Sequence, residues 1–163
     1  MTQNEELLPR IARFALVRHL ATSMAAERSL EDFRGAAANE ALLECVKAWR
    51  YGTLLPAANS LLERAPHLLE QGLLAIGERR ERNRWYGILL GRVGNTDAVP
   101  LLCRAVKQVS MIDHEMFDMI EHLAQPEHRE MIEGLAEQVR DGQRERAESV
   151  TAAVLQRWAD NDR

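Results

Sequence analysis

One stretch, WYGILLGRVGNTDAVPLLCRAVK from Trp85 to Lys107, constrains the fold more than any other. Trp85, Ile88, Leu89 and Val93 recur at helical spacing, which puts an apolar stripe on a first helix. Gly94 and Asn95 follow, and both tolerate the left-handed backbone common at helix C-termini. Thr96 or Asp97 is placed to cap a second helix. An Asp97 cap puts Pro100 in its first turn, where a missing N–H has no intrahelical bond to lose. Val99, Leu102, Val106 and Val109 supply the second stripe. Two stripes joined by so short a turn must face each other and a neighbour.

The rest of the chain reads as variations on this hairpin. Leu, Ala, Glu and Arg are abundant and only 5% of residues are aromatic, which favours helices. The period-two alternation of strands is missing, so an all-α fold is expected. At 163 residues the chain fits one domain. A helix over 4–26 presents Leu7, Leu8, Ile11, Phe14, Ala15, Val17, Leu20 and Met24, with Arg10, Arg13 and Arg18 on its other sides. Ser29 is expected to cap a short helix ending near Phe33, and residues 1–36 together to cap the N-terminal end. Asn39 is expected to cap NEALLECVKAWRYG, whose face is Leu42, Leu43, Val46 and Trp49 and which breaks near Gly52. Pro56 falls in the first turn of the next helix, and Ala65-Pro66 marks another break. A helix from His67 to Ile76 then carries Leu68, Leu69, Leu73 and Leu74, and ends at Gly77.

Copies of the hairpin flank it. At an offset of 30, Val93 maps onto Leu123, Leu102 onto Ile132 and Val109 onto Val139. Trp49 and Pro56 stand 44 residues before Val93 and Pro100. These spacings bracket helical repeat units. A helix over 112–124 has Ile112, Met116, Met119, Ile120 and Leu123 on one face, and Pro126 opens its partner. After Asp141-Gly142, a last helix over about 144–160 carries Val150, Val154, Leu155 and Trp158. Repeats are thus expected over 39–140 and a C-terminal cap over 143–163.

Leu89–Val106, LLGRVGNTDAVPLLCRAV, resembles a HEAT-like repeat of the short kind found in bacterial scaffolds and phycobilin-lyase-like proteins. Those families carry LG-x-hydrophobic-G-(N/D)-x-x-A-V-P-x-L across a helix–turn–helix. The resemblance implies a HEAT-like α-solenoid of three to four antiparallel hairpins, stacked right-handed, with a capping helix at each end. It specifies a shape that serves many functions.

Charge is uneven along the chain. Residues 1–50 hold seven acids and seven bases, and residues 51–110 hold five acids and eight bases. Residues 111–163 hold thirteen acids and six bases. Two surfaces of opposite sign are expected, which disfavours nucleic acid as the partner. The N-terminus lacks a basic segment followed by an apolar one, and no apolar run reaches membrane-spanning length, so a cytoplasmic location is expected. Cys45 and Cys103 read as small buried thiols.

Three constellations carry chemistry. His114, Asp118 and His122 recur every four residues, a spacing at which imidazoles and a carboxylate can hold a divalent metal. The same helix echoes deoxyhypusine hydroxylase, a HEAT-repeat enzyme with several iron-binding His-Glu dipeptides, but only His114-Glu115 occurs here. His19 stands in a similar context and is followed by Leu20. On a helical wheel the polar cluster lies opposite the apolar stripe, so the simpler expectation is a solvated acidic face and no bound metal. Arg79, Arg80, Arg82 and Arg84, extended by Arg92, can pair bidentately with carboxylates or phosphate. HEAT-like DNA glycosylases line a concave face with such bases. Tyr86 and Phe117 lie off the apolar stripes and Tyr51 at a helix end, where an aromatic ring can anchor a partner or pack on a neighbouring repeat. No Gly-rich phosphate loop, nucleophile elbow, H-E-x-x-H or C-x-x-C occurs, so neither catalytic residues nor a cofactor are expected.

The expected function is a non-catalytic protein-interaction module of adaptor, chaperone or toxin-immunity type. Arg79, Arg80, Arg82, Arg84, Tyr86 and Phe117 are its candidate contacts to a protein partner, acidic if the arginines lead. A metal-dependent or lyase-like HEAT-repeat enzyme and a nucleic-acid-binding HEAT-like module are the alternatives.

Overall fold

Every regular element among the described residues is helical. The computed structural model describes residues 3–16, 25–26, 29–30, 32–48, 56–76, 84–109 and 113–161, with side chains from Leu7 onward. The helices are α1 (Gln3–Ala15), α2 (Ala36–Lys47), α3 (Pro56–Arg64), α4 (Pro66–Ile76), α5 (Arg84–Arg92), α6 (Ala98–Gln108) and α7 (His114–Leu123). After a 3-10 turn at Pro126–His128 come α8 (Arg129–Glu133), α9 (Leu135–Gln138) and α10 (Asp141–Asn161). The chain divides into two compact units, Met1–Arg79 and Arg80–Arg163.

In the first unit, α2 packs against α1, α3 and α4. Leu42, Leu43, Val46, Leu61, Leu69 and Leu73 form its core. Gly72 lets α4 press close, since a Cβ there would stand 2.9 Å from Leu43 Cδ1 and 3.0 Å from Val46 Cγ1. Pro56 lies in the first turn of α3 as expected, and Pro66 opens α4 one residue before the expected start at His67, each where its missing N–H costs nothing.

Two expected caps are corrected. Helix α2 starts at Ala36 behind Gly35, whose φ of 98° only glycine adopts without strain. Ala36, Ala37 and Ala38 are strong helix formers and carry the helix back past Asn39. Asn39 therefore donates its backbone N–H to Gly35 O (3.2 Å), and its buried Oδ1 has no hydrogen-bond partner. Ser29 is no cap either, because its hydroxyl donates back to Ala25 O at 3.0 Å, a bond that competes with capping. Helix α1 ends at Ala15, short of the expected boundary at 26. Leu16 is a turn residue, and Leu7, Phe14 and Leu16 are exposed. Val17, His19, Leu20, Met24, Trp49 and Tyr51 lie outside the described residues.

The second unit contains the expected hairpin. Gly94, at φ 81°, ends α5 while Asn95 N–H donates to Leu90 O (3.2 Å) and Gly94 N–H to Gly91 O (2.9 Å). Asp97 occupies the N-cap position of α6, but its side chain makes no capping bond. Asn95 supplies the polar contact instead, its Oδ1 accepting from Asp97 N–H at 2.9 Å. Helix α5 packs on α6 and α7, and α10 packs on α7, α8 and α9.

The stretch expected to copy the hairpin, 30 residues downstream, is less regular than the hairpin itself. Ile132 is buried like Leu102 and Leu123 half-buried like Val93, whereas Val139 is buried where Val109 is only half-buried. Its second arm splits into the 3-10 turn, α8 and α9, parting at Gly134, a poor helix former. The last helix begins at Asp141, not 144, with an acid in the first turn where the helix dipole favours it.

Candidate functional site

Helix α7 carries the densest polar face of the chain and one wall of a groove. Asp113 starts it, its carboxylate accepting from Met116 N–H at 3.3 Å. Its far end is closed from α10. Arg157 donates to Glu121 O and to Ala124 O (2.5 Å), and Trp158 Nε1 donates to Ala124 O (3.3 Å). A guanidinium at a helix C-terminus satisfies orphan carbonyls and matches the dipole. Arg129 stacks over the Trp158 ring, 5.4 Å from its centroid.

Between these ends Met116, Phe117 and Ile120 are fully buried. His114, Glu115, Asp118 and His122 are exposed, and Met119 and Leu123 are half-buried. Gly91, Glu115, Asp118, Met119, His122 and Leu123 line an open groove of about 400 Å³. Gly91 makes room for its floor, since a Cβ there would lie 2.6 Å from Met119 Sδ. Arg92 Nε pairs with Glu115 Oε1 at 2.6 Å. Arg146 pairs with Asp118 and, at 3.4 Å, with Glu121. Arg92 and Arg146 thus match the groove's two carboxylates one to one, and Arg146 also reaches Glu121, which is not among the lining residues.

His114, Asp118 and His122 do line one side of α7, as their spacing requires. Asp118 is held by Arg146, and His122 Nδ1 lies 2.7 Å from Asp118 O. Among the described residues no three His, Cys, Asp or Glu side chains converge to hold a metal ion. Tyr86 and Phe117, expected as candidate surface anchors, are instead core residues, 4% and 0% exposed. The single-stripe picture misplaces them because α5 and α7 are each packed on more than one side. Arg84 is exposed, its guanidinium 4.8 Å from the Trp85 ring centroid, whereas Arg79, Arg80 and Arg82 lie outside the described residues.

Both cysteines are buried, and neither is in a disulfide. Burial pushes the Cys103 thiol up to about 12, with Lys107 pulling weakly the other way, so it stays protonated and unreactive at neutral pH. Among the described residues no helix is long and apolar enough to cross a membrane.

Sequence reasoning missed the groove floor. Met119 and Leu123 read only as core, though the Gly87-x-x-x-Gly91 spacing signalled a helix face open to close approach. Arg146 and Arg157 gave no local signal, since each acts on α7 from more than 24 residues away. No known protein family, curated protein or solved structure matches the chain.

Proposed function

We propose that this chain is a non-catalytic protein-interaction module, built of HEAT-like helical hairpins, that docks an amphipathic helix of a protein partner in the α7 groove. One observation carries the reading: the groove has an apolar floor, Met119, Leu123 and Gly91, beneath a rim of Glu115, Asp118 and His122, and it lies open to solvent. An amphipathic helix matches that pattern, with apolar anchors for the floor and basic residues for the rim. Small-molecule sites enclose most of their ligand's surface, which an open groove does not. Both rim carboxylates are held in ion pairs, a poor arrangement for a general base and a good one for a fixed electrostatic edge. Adaptors, chaperones and immunity proteins all work by such shape-complementary contact.

The test is affinity capture from the native cell with wild-type protein and Met119→Glu, which sets a charge in the floor. A specific partner held by the wild type and weakened roughly tenfold or more in the variant, at unchanged melting temperature, is the expected result. Equal capture by a folded variant would sink the groove as the binding surface.

A further inference from the structure

The same chain carries a helix that fits this groove. On α1, Leu7, Ile11 and Phe14 stand at i, i+4 and i+7, the anchor spacing of a helix that lies in a groove. Phe14 is 57% exposed, the most among the bulky apolar residues described; Leu7 is 44% exposed and Ile11 is half-buried. Arg10 and Arg13, both exposed, accompany them, Arg10 one turn before Phe14. Apolar anchors beside two guanidiniums are the chemical complement of a floor of Met119 and Leu123 under a rim carrying Glu115 and Asp118, in a segment, 111–163, that holds thirteen acids against six bases.

We propose that α1 of one copy docks in the α7 groove of a second copy, Phe14 and Leu7 on the floor and Arg10 and Arg13 toward Glu115 and Asp118. The proposal rests on the groove being a helix-docking site and names its occupant. The two surfaces differ, so the contact is head-to-tail: it closes into a reciprocal dimer or a larger ring where the rotation allows, and otherwise continues into longer assemblies. The charged edge makes association weaker as salt rises.

Sedimentation velocity on the full chain tests this across a concentration series. Wild-type protein is expected to self-associate with rising concentration. Phe14→Glu and Met119→Glu are each expected to weaken that association roughly tenfold or more while keeping the helical circular dichroism of the wild type. Leu123→Glu replaces Met119→Glu if the latter melts early. Mixing the α1 variant with the groove variant is the decisive step, because one intact α1 still meets one intact groove. The mixture is expected to form a heterodimer and nothing larger. A wild-type chain that stays monomeric, or a mixture that stays monomeric, overturns the proposal; so does wild-type assembly that neither variant weakens. If the wild type is monomeric while Met119→Glu still loses a captured partner, self-docking falls and the groove reading stands. If capture is also unchanged, both fall.

Discussion

Helices α1 and α5 carry similar apolar side chains and meet opposite fates. Six consecutive residues of α5, Tyr86 to Gly91, are buried, whereas α1 leaves Leu7 and Phe14 largely in solvent. Hydrophobicity does not separate them; the approach of neighbours does. Gly87 and Gly91 remove side chains where α6 and α7 come in, a Cβ at 87 standing 3.2 Å from Leu101 Cβ and one at 91 meeting Met119. Helix α1 has no glycine, carries Pro9 in its interior, and has α2 as its main packing partner. A helix is enclosed when its surface is thin enough to admit two neighbours, and one held from a single side keeps apolar surface for something else.

The sharpest way to break this contrast is to make one substitution in both settings. Phe117→Ala empties a fully buried site on α7 and is expected to cost about 3–5 kcal/mol in urea unfolding. Phe14→Ala is expected to change stability by no more than about 0.5 kcal/mol, because its ring already meets water. Equal costs would show that α1 is as enclosed as the second unit's core.

The enclosure of α6 can next be probed by pH. Cys103 lies on α6, and its folded-state thiol is raised from 9.0 to about 12 by burial. Its contribution is fully present below pH 9 and lost as pH rises from 9 towards 12, since the unfolded chain releases the proton first. Across that window the wild type should lose up to about 1.4 kcal/mol per pH unit relative to Cys103→Ala. Parallel stability curves for the two proteins would mean that solvent already reaches the thiol.

The smallest effect separates the two glycines. Gly87→Ala gains helix propensity but drives a methyl against Leu101 Cβ, close to the backbone, so a net loss of about 1 kcal/mol is expected. Gly91→Ala meets only the flexible end of Met119, and a melting temperature near that of the wild type is expected. The reverse order would contradict the assignment of close approach.

Much of the second unit was legible in its sequence. Apolar spacing, Gly94-Asn95 and Pro100 place α5, the turn and α6 correctly, because all three signals are local. The offset of 30 matches Ile132 to Leu102 in burial, but Val139 is buried where Val109 is only half-buried. Local rules failed where two of them competed. Asn39 is a good cap, but three alanines before it are better helix formers, and Gly35 took the position. Phe117 looked peripheral because a wheel assumes one covered face, and α7 is covered from α5, α6 and α10. For the site, the polar face of α7 could be read from spacing. The groove could not, since its floor depends on the void at Gly91 and its rim on Arg92 and Arg146 reaching from other helices.

The clamp that Arg157 and Trp158 place on the exit of α7 also bears on the order of assembly during synthesis. The ribosome completes α7 more than thirty residues before it adds the side chains that seal it. Through that interval Glu121 O and Ala124 O have only water as their partner from that side. The wall of the groove, encoded in mid-unit, is therefore among the last parts of the second unit to be finished.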